Sequence, residues 1–260
     1  MYPVINILGL KVASYGLMNL LGFGPGITLA SWRAKKRGIS FEQEFLMLIH
    51  VCLGVIIGAK LLYLALNIDY ILLHKDIIFQ SAENLLSYLG GGFVFYGGLA
   101  GGIIAAYLYC RHYREPFLKM LEIAVPSIPL IHAMGRIGCF LAGCCYGIPV
   151  NSWLGVTFTH SPYAPNGVPL FPVQLLEAGI NLIIFIVLLS YARQERRPFQ
   201  VLGLYLLFYS LSRFILEYFR FDVARGIYGG FSTSQWISIL VFAIAIYLFM
   251  VKRTKQIPSA

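Results

Sequence analysis

Apolar residues run along this chain in long unbroken stretches, with polar residues gathered between them. A helix needs about 20 mainly apolar residues to cross a bilayer. Seven stretches meet that length, roughly 13–32, 45–66, 92–110, 117–140, 173–192, 199–219 and 232–251. None alternates with the two-residue period of a barrel strand, so the pattern predicts helices. The first stretch contains GFGPG and the fourth VPSIPL, and both predict a bend or local unwinding. That is tolerable where protein or trapped water satisfies the freed backbone groups. Between the second and third stretches, DYILLHKDIIFQSAENLLSYL predicts an amphipathic interfacial helix or an ordered loop.

Composition sharpens this picture. Of 260 residues, 58% are hydrophobic and only 12% charged, about half the charged share of a soluble globule; mean hydropathy is +0.75. The expected fold is an all-α integral membrane protein, a single polytopic domain over 1–260 with seven transmembrane helices. A net charge of +9 would suit nucleic acid, but the basic residues sit in short clusters between spans. Arg33, Lys35, Lys36 and Arg37 follow the first span, Arg111 and Arg114 the third, Arg193, Arg196 and Arg197 the fifth, and Lys252, Arg253 and Lys255 the last. Those are alternate loops. Cytoplasmic loops are the basic ones, so the N-terminus is expected outside, the C-terminus in the cytoplasm, and loops 67–91 and 142–172 outward. The partner is then the lipid bilayer and not nucleic acid. No removable signal peptide is expected, because the first stretch lacks a short apolar core and small-residue cleavage site.

Against this apolar background a few residues carry chemistry. Arg136 and Arg213 fall inside the fourth and sixth spans, where a charge costs about 2.5–3.5 kcal/mol on insertion scales. Each either pairs with a carboxylate or snorkels, or the two converge on an anion; a guanidinium suits phosphate because it is planar, bidentate and permanently charged. Glu177 and Glu217 are the carboxylates at similar depth, with ion pairing favoured over a base role, and Glu217 lies at i+4 from Arg213. The glycine-rich stretch LGGGFVFYGGLAGG serves close helix packing or leaves N–H groups open to an anion. Cys52 and Cys110 read as packing residues. Cys139, Cys144 and Cys145 read first as packing or a disulfide, Cys139 being the partner of Cys144 or Cys145, then as reactive thiols. A metal comes last, since no second CxxC or HxxxH completes four ligands, although His132 lies seven residues before Cys139.

Five stretches in order, YGLMNLLGF, FYGGLAGG, GRIGCFLAGCCYG, PVQLLEAG and YSLSRFILEYFR, resemble motifs of the prolipoprotein diacylglyceryl transferases over about residues 12–250. The resemblance implies seven spans with the N-terminus outside, in the bacterial cytoplasmic (inner) membrane. It implies transfer of the diacylglyceryl group of phosphatidylglycerol to the lipobox cysteine thiol in the signal peptide of a prolipoprotein, with no metal or soluble cofactor. Carried over by position, Tyr96, Arg136 and Arg213 would be catalytic. Tyr15, Gly97, Gly98, Gly135, Gly147, Glu177, Tyr209 and Glu217 would bind substrate, and Gly138 matches a further family glycine. The chain departs from the pattern at Tyr96 and Phe171, where the family usually has histidine, at Cys139 and Ala142 for asparagine, and at Cys144 for glutamate. These departures leave two alternatives: a relative with a different acceptor or donor lipid, or a non-catalytic lipid- or peptide-binding membrane protein.

Overall fold

The computed structural model describes residues 2–7, 9–221 and 226–250. Lys252, Arg253 and Lys255 of the last basic cluster, and the final residue of the seventh predicted span, lie outside them. Eleven helices are described: α1 (Ser14–Lys36), α2 (Phe41–Leu66), α3 (Ile68–Leu73), α4 (Lys75–Ile78), α5 (Ala82–Gly90), α6 (Phe95–Tyr113), α7 (Phe117–Ala124), α8 (Ile128–Ala142), α9 (Val173–Tyr191), α10 (Gln200–Leu216) and α11 (Thr233–Met250). Five segments are long and apolar enough to span a bilayer: Phe41–Leu66, Phe117–Ala142, Val173–Tyr191, Gln200–Phe219 and Thr233–Met250. A sixth arises if α5 and α6, bent by 82°, count as one. That is the profile of a multi-pass helical membrane protein. At 23 residues α1 is long enough but is not among the segments that pass. The stretch between α2 and α6 forms three short helices in place of one amphipathic helix.

Two local expectations divide. VPSIPL does loosen the helix, as a 3-10 turn at Val125–Ser127 between α7 and α8. GFGPG does not unwind: α1 runs unbroken with Pro25 inside it. Its glycines meet α8 instead, since a Cβ on Gly22 would strike Met134 and one on Gly26 would strike Ile131. Three two-stranded antiparallel sheets also interrupt the all-helical expectation: β1 (Val4–Ile7) with β2 (Leu10–Ala13), β3 (Val156–Thr157) with β4 (Pro169–Leu170), and β5 (Ile227–Tyr228) with β6 (Phe231–Ser232). The last is closed by Gly229 and Gly230, both at positive φ, as a tight two-residue hairpin requires.

By internal packing the chain divides into two compact units, Met1–Arg33 with Leu121–Ala260, and Ala34–Met120. In the first, Val125, Ile184, Leu188, Ala192, Val201 and Tyr205 form the core. Charges finish its helix ends. Buried Glu122 accepts the N–H groups of Val201 (3.0 Å) and Leu202 (3.3 Å) at the start of α10, and buried Arg33 donates to the carbonyls of Ile123 and Ala192. Anions belong at helix N-termini and cations at C-termini. In the second unit α2 opens with a capping box, Gln43 N to Ser40 Oγ and Ser40 N to Gln43 Oε1, both 3.0 Å. Farther along, α2 meets α6 backbone to backbone: a Cβ on Gly58 would collide with the Gly97 carbonyl, and one on Gly101 with the Gly54 carbonyl. Cys110 is buried between the sulfurs of Met47 (3.7 Å) and Met120 (3.6 Å), the packing role expected of it.

Candidate functional site

The site in the first unit grows from three helices whose polar residues recur at helical spacing. On α9, Gln174, Glu177 and Asn181 stand three and four residues apart, so one stripe of an otherwise apolar helix is polar. All three are buried, Glu177 to 3% exposure. Arg136 on α8 places Nε 3.0 Å from Glu177 Oε1 and donates from it to His132 Nε2 at 3.3 Å. His132 Nε2 lies 3.7 Å from the same carboxylate oxygen. Both Nη nitrogens of Arg136 are thereby left without a protein hydrogen-bond partner among the described residues.

Arg213 ends α10 and pairs with Glu217 at 2.9 Å across one turn, the i+4 contact its spacing predicts. The same Nη2 donates to Ser234 Oγ of α11 at 3.1 Å, while Nη1 is buried and makes no hydrogen bond among the described residues. The two arginines share electrostatic neighbours: Glu177, His132 and Tyr209 each interact with both. Tyr209 stacks on Tyr205 (5.8 Å) and tilts against His132 (5.4 Å). Both arginines are therefore ion-paired, as the first alternative holds. Each also keeps N–H donors for a further acceptor, as the second requires.

The loop after α8 closes the site. Gly143 ends the helix at φ +77°, and its N–H and that of Cys144 both return to Cys139 O, at 2.9 and 3.1 Å. Gln174 Nε2 holds the Cys144 carbonyl at 2.8 Å. All five cysteines are free thiols, and the sulfurs of Cys139, Cys144 and Cys145 lie within 4.8 Å of one another. Hydrogen bonding with Cys139 raises the Cys144 thiol pKa, whereas hydrogen bonds from Cys139 and then Cys144 lower that of Cys145. His132 is not part of this group; it belongs to Arg136 and Glu177. Gly147 bridges to Arg220, and a Cβ there would meet the carbonyls of Phe171 and Phe219. Phe171, at the family's histidine position, packs its ring on Phe219 at 5.5 Å.

Other predicted residues serve approach between helices. Gly138 lets α8 touch α1 at Tyr15, and Gly135 faces Asn19, whose Nδ2 donates to the Tyr15 carbonyl at 2.8 Å. Tyr96, Gly97 and Gly98 belong to the second unit. Tyr96 is 54% exposed, beside Phe95. Gly97 faces Gly58 and Leu62 of α2, and Gly98 faces Val55 while giving its N–H to Val94 O at 3.2 Å. Sequence reasoning missed Gln174, Asn181 and Arg220. The first two were legible as polar residues at helical spacing from Glu177. Arg220 gave no such signal, lying beyond the last turn of its span.

A model of the prolipoprotein diacylglyceryl transferase family matches residues 3–251. A Clostridium tetani protein named phosphatidylglycerol–prolipoprotein diacylglyceryl transferase is 40% identical, over 98% of this chain and all of its own length. A second protein of that name series, from Clostridium perfringens, is 33% identical over 96% of this chain and 94% of its own. One from Legionella pneumophila is 33% identical over 97% and 99%.

Proposed function

Since the chain belongs to the prolipoprotein diacylglyceryl transferase family, we propose that it transfers the diacylglyceryl group of phosphatidylglycerol to the lipobox cysteine of a prolipoprotein. The observation that carries this reading is Arg136, a partly buried cation that spends only Nε on Glu177 and His132. Its two remaining nitrogens form the planar fork that a phosphodiester accepts bidentately. Arg213, with a spare buried Nη1, supplies the second grip.

In the reaction the acceptor thiol loses its proton and its sulfur attacks the glycerol carbon bearing the phosphate ester. The S–C bond forms as the C–O bond breaks, and glycerol phosphate leaves with the electron pair. Charge grows on the leaving phosphate, so Arg136 and Arg213 stabilise the transition state more than the ground state. Glu177 and Glu217 fix the two guanidiniums against rotation. Tyr15, Tyr209, Gly135 and Gly147 shape the binding site, with Gly97 and Gly98 assigned to substrate on the family pattern. Tyr96 stands at the position where the family usually has histidine and is assigned, on that resemblance, to the acceptor thiol. The chain works as one domain of seven spans in the bacterial cytoplasmic membrane, N-terminus outside and C-terminus in the cytoplasm, the orientation its basic clusters favour.

The test is diacylglyceryl transfer from phosphatidylglycerol to a lipobox peptide. Arg136→Ala should lose about 100-fold or more, and Tyr96→Phe should lower turnover while leaving lipid binding intact. Unchanged turnover in Arg136→Ala would reject the phosphate role. The replaced residues Tyr96, Cys139, Ala142, Cys144 and Phe171 favour one second reading, a different acceptor or donor lipid. Mass spectrometry of lipid-linked products with and without the protein separates the two, and reporter fusions at loops 67–91 and 142–172 check the orientation.

A further inference from the structure

We propose that Lys60 is a positioning residue for the transfer step: it pins the linker between α5 and α6 to α2, and so sets where α6 begins and where Tyr96 stands. The role in transfer rests on the proposed transferase reading; the anchoring does not.

Lys60 is a charge inside α2, a segment long and apolar enough to span the bilayer. An apolar residue would insert there more readily, so the ammonium needs a use. Among the described residues no carboxylate pairs with it. Its Nζ donates instead to two carbonyls, Tyr88 O at 2.9 Å and Gly91 O at 2.6 Å. It also lies over the rings of Tyr63, Tyr88 and Phe93, at 4.9, 5.3 and 5.5 Å from their centroids. Carbonyl oxygens and ring faces are both negative toward a cation. Every one of these groups except Tyr63 belongs to the end of α5 or to the linker that follows it.

What Lys60 holds is a joint. Helix α5 has no basic residue in its own last turn, so the cation that suits the negative end of a helix comes from α2. Helix α6 starts at Phe95 after a bend of 82°, and its N-cap, Val94, makes no side-chain cap. One turn of α2 fixes the linker between them at three points. Lys60 takes the Gly91 carbonyl, Tyr63 lies against Gly92, and the Ala59 carbonyl accepts the Val94 N–H at 3.1 Å. Gly92 has φ +68°, and a Cβ on it would come 2.2 Å from Tyr63 Cζ. Only glycine passes there.

Tyr96 lies two residues beyond the last of these tethers. It is 54% exposed and its ring meets that of Phe95, its neighbour in the chain, so its own packing does not fix its place. Gly97 and Gly98 set how closely α6 lies on α2, but they offer no side chain to hold the first turn of a helix that lacks a side-chain cap. The start of α6 is therefore fixed from the linker, and Lys60 holds the linker's first residue together with the end of α5. Without the ammonium, Tyr96 loses a defined place relative to a thiol that it must meet within hydrogen-bond reach. Lys60 acts through Tyr96 and takes no part in bond making.

The test compares Lys60→Met, Lys60→Gln and Lys60→Arg with wild type, as full-length protein in lipid nanodiscs containing phosphatidylglycerol. Lys60→Met should lower kcat for transfer to the lipobox peptide by about 10- to 100-fold, the scale of an ångström's misplacement, with KM for phosphatidylglycerol unchanged. Lys60→Arg keeps a charge that can reach carbonyls and lie on ring faces, and should restore most of the lost kcat. Deuterium uptake over residues 91–98 should rise in Lys60→Met while uptake over 101–113 stays as in wild type. In a Tyr96→Phe background Lys60→Met should lower kcat little further, because the two residues act as one unit. Lys60→Gln gives the same readings should Lys60→Met fail to fold. Wild-type kcat in Lys60→Met, a raised KM with kcat unchanged, no recovery in Lys60→Arg, or the full fall repeated in the Tyr96→Phe background overturns the positioning role. Uptake that rises equally over both segments overturns it too, as general destabilisation. If wild type binds phosphatidylglycerol and transfers nothing to the peptide, the transferase reading and the role in transfer fail together, while uptake raised only over 91–98 still upholds the anchor.

Discussion

The two units solve the same problem, holding apolar helices together, with opposite materials. In Ala34–Met120, α2 and α6 are joined by glycines that bring backbone against backbone, Gly54 and Gly58 facing Gly97 and Gly101. In the other unit, α8, α9 and α10 enclose ion pairs: Arg136 with Glu177, and Arg213 with Glu217. Where lipid offers no hydrophobic drive between helices, close steric fit and buried polar contacts are the means that remain. The glycine interface tolerates no added volume and is indifferent to charge. The charged interface tolerates no unbalanced charge, and its polar groups are available to a ligand.

The sharpest way to break this contrast is to unbalance the charge. Arg136→Ala should destabilise the protein by about 3–5 kcal/mol, because Glu177 is left buried without its partner. Arg136→Met with Glu177→Gln should recover much of that in equilibrium unfolding while transfer stays lost. Next comes volume in the other unit. Gly58→Leu should cost about 1–3 kcal/mol, read as a lower midpoint of thermal unfolding, with Gly58→Ala intermediate. A smaller effect, about 1 kcal/mol, is expected from Ser234→Ala, which removes the hydroxyl on Arg213 Nη2 while Glu217 still holds it. The smallest has the opposite sign. A Cβ on Gly179 of α9 meets nothing within 4 Å, so Gly179→Ala should stabilise by about 0.5–1 kcal/mol through helix propensity alone. A loss there would mean that the glycine face of α9 is occupied.

What the sequence disclosed follows the range of each interaction. The Arg213–Glu217 pair was legible because one helical turn fixes it. The Arg136–Glu177 pair joins two helices 41 positions apart, and no local rule reaches that far. The unwinding expected at GFGPG fails for the same reason. Its glycines look like a loosened turn when read along the chain, yet Gly22 and Gly26 are the surface that admits Met134 and Ile131 of α8. The β5–β6 hairpin carried its signal openly in Tyr228-Gly-Gly-Phe and was overlooked beside the apolar run that follows it. Cys139, Cys144 and Cys145 were visible as residues, but their convergence belongs to the turn after α8, where Cys145 takes a left-handed φ of +56°, and spacing along the chain does not reveal it.

The knot at Gly147 has a consequence for how the loop beyond it can vary. Pro149 bridges to Leu170, and the Val150 N–H bonds to the Pro169 carbonyl at 3.0 Å, so the two ends of the 150–169 excursion lie side by side. Phe158 and Ala164 of that excursion form a small core with Leu170, against which Phe140 and Tyr146 pack, and Ser161 Oγ donates to the Gly143 carbonyl at 3.1 Å. A closed loop pays little in entropy for added length. The segment can therefore change length in its exposed parts, whereas Phe158 and Ser161, which hold it against the end of α8, are fixed points of any such variation.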